Sequence, residues 1–211
     1  ASMAVPATDR AVAVLKQMKE GSSLPFFLYA GYVEPHRLPY DEPPPGLIAK
    51  DHTFPGKHLQ PDDALGVEVP GYLRDTAGTR RELAGLQGAV KHVDAQFGRI
   101  VAALKELGLE DSTLVLFTTD HGVAMPRAKC TLYDPGVEIA LLLRHLGRKG
   151  WFGGRTFDAM VQNIDCLPTV LDLVGLPVPA NVHGRSLAPL LDGGAYAARD
   201  ALFTEQTYHD Y

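Results

Sequence analysis

Only two cysteines, Cys130 and Cys166, occur in 211 residues. They are too few for a disulfide-stapled scaffold and lack the paired spacing of a zinc site, so both readings are excluded and the redox compartment stays open. Basic charge is also scarce. Twenty Lys and Arg stand against 25 Asp and Glu, for a net charge of -5, and no basic run is present. That excludes the electrostatic footprint of a nucleic-acid-binding protein or of one held on an anionic membrane. No apolar run reaches the roughly 20 residues of a membrane-spanning helix, and the N-terminus has no signal peptide's apolar centre. The chain reads as soluble, with compartment and oligomeric state unassigned. No internal repeat is evident.

What is present is enough apolar material for a real core: 45% of residues are hydrophobic and 21% charged, and the length fits one domain or a large piece of one. Apolar positions Val12, Val14, Leu15 and Met18 predict a helix over about 8–19, with Thr8 or Asp9 as a cap. Pro25-Phe-Phe-Leu-Tyr-Ala-Gly31 is a short apolar run between breakers and predicts a buried strand. From Glu34 to Pro70 the sequence holds eight of the chain's 16 prolines and little periodicity, which marks a long loop.

Leu83, Leu86, Val90, Val93, Phe97, Ile100, Val101, Leu104 and Leu107 recur at three- and four-residue steps, one face of a long helix that Gly108 stops. Strands are expected at Thr113 to Thr119, Val137 to Leu143, Met160 to Ile164 and Ala201 to Thr204. A helix is expected over about 165–174, ended by Gly175 and Pro177. Strands alternating with helices indicate an α/β fold: a mixed, largely parallel sheet sandwiched by helices.

Three local patterns carry chemistry. Thr113-Leu-Val-Leu-Phe-Thr-Thr-Asp-His-Gly122 ends a strand on a carboxylate and an imidazole, the place where open α/β sheets bind ligands. Asp120 suits a hard cation, and His121 shifts the preference toward manganese or zinc. Read alone, the tripeptide also fits an ordinary turn. Glu34-Pro-His-Arg37 sets two cation-capable side chains together, His36 to donate a proton and Arg37 to fork an oxyanion, although a charged surface loop would look the same. Lys129, in the loop after the Asp-His pair, could steady an anion or simply face solvent.

Taken together, these segments, with Lys129…Thr131-Leu-Tyr-Asp-Pro-Gly136, Asn163-Ile-Asp…Leu167-Pro-Thr-Val-Leu-Asp-Leu-Val-Gly-Leu-Pro177 and His183-Gly-Arg-Ser-Leu-Ala-Pro-Leu-Leu191, resemble the sulfatases of the alkaline phosphatase superfamily. The resemblance runs from about Pro25 to the end and is nearest to the sulfamidase-like members. It implies an alkaline phosphatase/sulfatase-like fold and hydrolysis of a sulfate ester or sulfamate, possibly of a sugar, with a small-molecule or saccharide sulfate as partner. It implies Asp120 as a metal ligand, with His121 where many members place asparagine. His36 and Lys129 then have catalytic roles at the sulfate and leaving group, and Arg37 a looser substrate contact. The implied cofactors are a divalent metal, calcium by family with manganese or zinc admitted by His121, and a formylglycine made from cysteine in a Cys-x-Pro-x-Arg motif.

This chain departs from that pattern in one decisive way. No Cys-x-Pro-x-Arg is present, nor are the paired aspartates of the family's first strand. Cys166-Leu-Pro-Thr-Val170 has valine in place of the arginine and lies in an expected helix, so Cys166 is rejected as nucleophile. The expectation is one partial catalytic domain over 1–211, without its nucleophile segment and C-terminal subdomain, and inactive alone. Alternatives are a phosphonate or phosphate ester hydrolase of the same superfamily, since phosphoryl and sulfuryl groups need similar cradles, and a non-catalytic degenerate domain.

Overall fold

A computed structural model describes residues 3–21, 24–39, 52–53, 62, 64–151 and 153–206. They form two compact units, Ala1–Glu110 and Asp111–Tyr211. Much of the proline-rich stretch expected as a loop lies outside the described residues.

In the first unit, α1 (Ala4–Gly21) packs on α2 (Ala77–Glu106). Helix α1 starts earlier than the periodicity predicts because Pro6 is tolerated in a first turn, where the missing N–H has no intrahelical partner to lose. Its buried face is Ala4, Thr8, Ala11 and Leu15, spaced by four, three and four. The facing stripe of α2 includes Leu83, Ala84, Gly88, Ala89, Val93, Ile100, Ala103 and Leu104. Val90, expected on this stripe, is half exposed. Small residues on both faces let the axes approach, and Arg99 of α2 closes onto Asp9 of α1 at 2.6 Å.

The ends of α2 follow from single residues. Thr76 Oγ1 accepts the Thr79 amide at 3.1 Å as an N-cap. At the other end Gly108 adopts φ +64, so that Leu109 N–H reaches Leu104 O and Gly108 N–H reaches Lys105 O. This is the left-handed glycine stop that the sequence predicts. Between the helices, Leu38–Pro39 (β1) and His52–Thr53 (β2) form a short antiparallel bridge.

The Pro25 to Gly31 run carries no strand assignment, and Phe27 and Tyr29 are 85% and 83% exposed. The segment is extended, but a strand requires a ladder, and none reaches it among the described residues. Sequence propensity supplies one side of a pairing only.

The second unit is built on an antiparallel pair, β3 (Val115–Thr118) with β4 (Leu141–Arg144), in the register Val115 to Arg144 through Thr118 to Leu141. Antiparallel pairs occur at the margins of mixed α/β sheets. Strand β4 begins later than the apolar run because Asp134-Pro135-Gly136-Val137 closes as a helical turn, α3, with Glu138 N–H on Asp134 O. The strand expected at Met160 to Ile164 is replaced by a 3-10 turn, Asn163–Asp165, leading into α4 (Cys166–Leu173). Gly175, at φ +75, ends α4 as Gly108 ends α2. Residues 201–204 form no ladder; Phe203 O instead accepts Gln162 Nε2. The short α5 (Ala188–Leu191) packs on α4.

One buried ion pair organises this unit. Asp165 is fully buried and takes both guanidinium nitrogens of Arg199 at 2.6 Å, along with the amides of Arg185 and Gln162. Next to it Thr169 Oγ1 donates to Asp165 O and accepts Leu187 N–H. Burial opposes ionisation of Asp165, but Arg199 and the two amides outweigh it and hold the carboxyl below its ordinary value.

Candidate metal and anion site

Strand β3 delivers its carboxyl end at Thr119, which exchanges bonds with Ala140: its N–H reaches Ala140 O at 3.2 Å, and its hydroxyl accepts Ala140 N–H at 3.1 Å. Asp120 and His121 follow at once. Asp120 Oδ1 accepts the His121 amide at 3.1 Å, and its side chain is 87% exposed. His121 Nδ1 lies 2.8 Å from Gly122 O. A carbonyl can only accept, so Nδ1 donates, and in the neutral ring Nε2 carries the lone pair. That nitrogen stands 3.5 Å from Asp120 Oδ2.

The geometry can be tested against a cation. A carboxylate oxygen at about 2.4 Å and an imidazole nitrogen at about 2.1 Å, subtending roughly 100° at one ion, are about 3.5 Å apart. The pair therefore fits as two ligands of one divalent cation. Among the described residues no group of three or more His, Cys, Asp or Glu side chains that could hold a metal ion forms.

The loop after His121 is held by backbone contacts that leave no room for side chains. Gly122 N–H donates to Gly136 O at 2.9 Å, and a Cβ on Gly122 would meet Pro135 O at 1.9 Å. Gly136 is pressed likewise against Ala128 O and Thr131 O. Val123 O receives the Lys129 amide at 3.0 Å. Lys129, partly exposed, thus rides on a loop stapled two residues beyond His121.

Asn163 also reaches the end of β3, bonding to Thr118 and Thr119 from across the unit. Sequence reading assigned it no role. The available signals were its place in the Asn163-Ile-Asp segment and a pair of polar residues, Gln162 and Asn163, interrupting an apolar run.

His36 and Arg37 belong to the first unit, in the turn that follows Glu34. His36 N–H donates to Val33 O, and its Nδ1 donates to Arg37 O at 2.6 Å. Buried Glu34 accepts Met3 N–H at the start of α1. Arg37 Nη1 pairs with Glu82 of α2 at 2.6 Å, so its guanidinium is oriented by a carboxylate. His36 and Arg37 are therefore brought together by one turn, and Asp120, His121 and Lys129 by one loop.

The rejected nucleophile behaves as expected. Burial, reinforced by the neighbouring Asp165 charge, pushes the Cys166 thiol above its ordinary value and keeps it protonated at neutral pH.

The Sulfatase family profile matches residues 6–176. The chain belongs to the sulfatase family. It is 30% identical to human N-sulphoglucosamine sulphohydrolase over 93% of its own length, and spans 42% of that protein. A solved Bacteroides thetaiotaomicron structure, described with the metabolism of multiple glycosaminoglycans, superposes with a TM-score of 0.64 at 27% identity, covering 92% of this chain and 40% of that one. Phosphonate monoester hydrolase from Silicibacter pomeroyi is 38% identical, with a TM-score of 0.52, over 61% of this chain and 26% of its own. The chain thus spans about two fifths of the curated relative, and its α/β architecture is that of the sulfatase fold. Sulfatases are generally metal-dependent and use a formylglycine. Among the described residues of this sulfatase-family chain, no helix is long and apolar enough to cross a membrane.

Proposed function

We propose that this chain forms part of one sulfatase catalytic domain that hydrolyses a sulfate ester or sulfamate of a sugar. The observation that carries the reading is the strand-end pair, in which Asp120 Oδ2 and the lone-pair nitrogen of His121 lie 3.5 Å apart. Asp120 and His121 would hold a divalent cation, calcium by family and manganese or zinc by the imidazole ligand. Bound there, the cation would supply charge neutralisation at the sulfuryl oxygens. Lys129 adds fixed positive charge for the anion, His36 donates a proton to the departing oxygen or nitrogen, and Arg37, oriented by Glu82, contacts the substrate. The nucleophile is expected to be a formylglycine outside these 211 residues.

Similarity to human N-sulphoglucosamine sulphohydrolase supports a sugar sulfamate among the substrates. A second reading, a phosphonate monoester hydrolase, is favoured by the 38% identity to the Silicibacter pomeroyi enzyme. Assays of full-length protein on a sugar N-sulfate, a sugar O-sulfate and a phenyl phosphonate monoester, side by side, decide between them. Asp120→Ala and Lys129→Ala should each remove most activity, on the order of 100-fold or more, as for loss of an oxyanion-stabilising group. Wild-type rates in either variant refute that residue's role, and no turnover of any ester by intact protein points to a degenerate domain.

A further inference from the structure

The Asp120 side chain is almost wholly in solvent, so packing does not set where its carboxylate points. Its position depends on the His121 amide that Oδ1 accepts and on the backbone that presents both residues. On one edge of β3 that backbone is held by Ala140. On the other, Thr118 Oγ1 donates to Asn163 Oδ1 at 3.0 Å, and Asn163 Nδ2 donates to Thr119 O at 3.1 Å. The two bonds use both ends of one amide and grip the two residues before Asp120. The single Thr118 hydroxyl proton has a competing acceptor in Thr119 O at 3.2 Å, farther than Asn163 Oδ1.

Asn163 is in turn fixed from behind. It opens the 3-10 turn whose ends are locked reciprocally, Gln162 N–H on Asp165 Oδ2 and Asp165 N–H on Gln162 O, both at 2.9 Å. Asp165 is buried against Arg199. An amide carried on such a base has two oriented bonds and little freedom.

We propose that Asn163 is a positioning residue for the Asp120–His121 cation ligands, clamping the end of β3 through Thr118 and Thr119 while touching neither ligand. The inference rests on the metal reading of that pair. Asparagine suits the task because its short neutral amide carries a donor and an acceptor on separate atoms: aspartate would lose the donor and set a carboxylate oxygen against Thr119 O. Asn163 is itself exposed, so water can replace its bonds when it is removed. Ligand geometry, more than folding, should register the loss.

The test is Mn²⁺ binding to full-length protein, with free ion counted by electron paramagnetic resonance, alongside thermal melting and hydrogen exchange over residues 117–122 without metal. Asn163→Ala should weaken Mn²⁺ about tenfold, the lower end for loss of a ligand-orienting group, with melting within roughly 2 °C of wild type, the range of a surface change. Exchange at the Thr119 amide should quicken. Thr118→Val, which removes the hydroxyl and keeps the shape, should also weaken Mn²⁺, and the double variant should be less than additive. Unchanged Mn²⁺ affinity in Asn163→Ala, or affinity lost only in step with melting, overturns the positioning role. Wild-type protein that binds no Mn²⁺ overturns the metal reading instead, and the purpose assigned to Asn163 with it. Unchanged exchange at Thr119 refutes the clamp whatever the metal does.

Discussion

Replacing Asp165 with asparagine tests the second unit at the point where most of its parts meet. Four donors converge on that carboxylate: Arg199 Nη1 and Nη2 at 2.6 Å, Arg185 N–H at 2.8 Å and Gln162 N–H at 2.9 Å. In Asp165→Asn one oxygen becomes an NH₂ facing two of these donors, and Arg199, whose side chain is 9% exposed, keeps its charge without a counterion. Breaking a buried pair from one side costs about 3–5 kcal/mol. At roughly 2–4 °C per kcal/mol for a chain of this size, melting should fall by about 6–20 °C. Arg199→Met should cost less, because Asp165 retains two backbone amides. The double variant Asp165→Asn with Arg199→Met removes both charges and should lose clearly less than the sum of the two single losses. The assay is differential scanning calorimetry of all four proteins at pH 7. Single variants that melt within about 2 °C of wild type, or an additive double variant, would refute the claim that this pair organises the unit.

Two further outcomes follow from the same coordinates. Gly122→Ala places a Cβ at 1.9 Å from Pro135 O, a backbone atom that cannot swing aside. It should cost about 1–3 kcal/mol by overpacking and speed exchange at the Gly122 amide, whereas Gly21→Ala, which meets nothing within 4 Å, should do neither. Acid should destabilise the protein late. Asp165 is held below its ordinary value, and Asp192 is lowered to about 2, chiefly by its bonds with Arg148. Carboxyls depressed in the folded state add stability that is complete above the unfolded value near about 4 and disappears as pH falls through the folded values. Melting temperature should therefore be flat from about pH 7 to 5 and drop most steeply between about 4 and 2. A drop centred between about pH 7 and 5 would refute the assignment to these two carboxyls.

The features legible in the sequence are those that nearest neighbours determine. The buried stripe of α2 and its stop at Gly108 depend on residues within a turn of one another, and the periodicity carried them. The apolar run before Asp120 has the same character: side chains from Val115 to Phe117 want cover, and Asp120-His121 closes the run with polar groups at the strand's end. Where the outcome depended on a distant partner, local pattern failed. Phe26-Phe27-Leu28-Tyr29 has every strand preference and no ladder among the described residues. Val137 to Ala140 looks like strand until Asp134-Pro135-Gly136 takes Val137 into a helical turn. Met160 to Ile164 reads as strand because nothing near it reveals that Gln162 N–H will find the Asp165 carboxylate and that Arg199, 34 residues on, will hold that carboxylate in place.

The same division runs through the candidate site. Chemistry is local: a carboxylate beside an imidazole offers an oxygen and a nitrogen that a cation can use, and the Gly122 carbonyl at the imidazole's own doorstep selects its tautomer. Geometry is not local. The carboxylate is exposed, so beyond the His121 amide that its Oδ1 accepts, its aim depends on the strand that carries it and on whatever holds the strand's end. One of these, Ala140, arrives with β4, and the other, Asn163, comes 45 residues after Thr118. An exposed ligand presented from a clamped backbone gains reach toward other ligands and substrate, while its aim depends on residues that never touch the ion. Substitutions far along the sequence should then alter metal affinity without altering ligand identity, and motif reading, which sees only the ligands, is blind to that class of change.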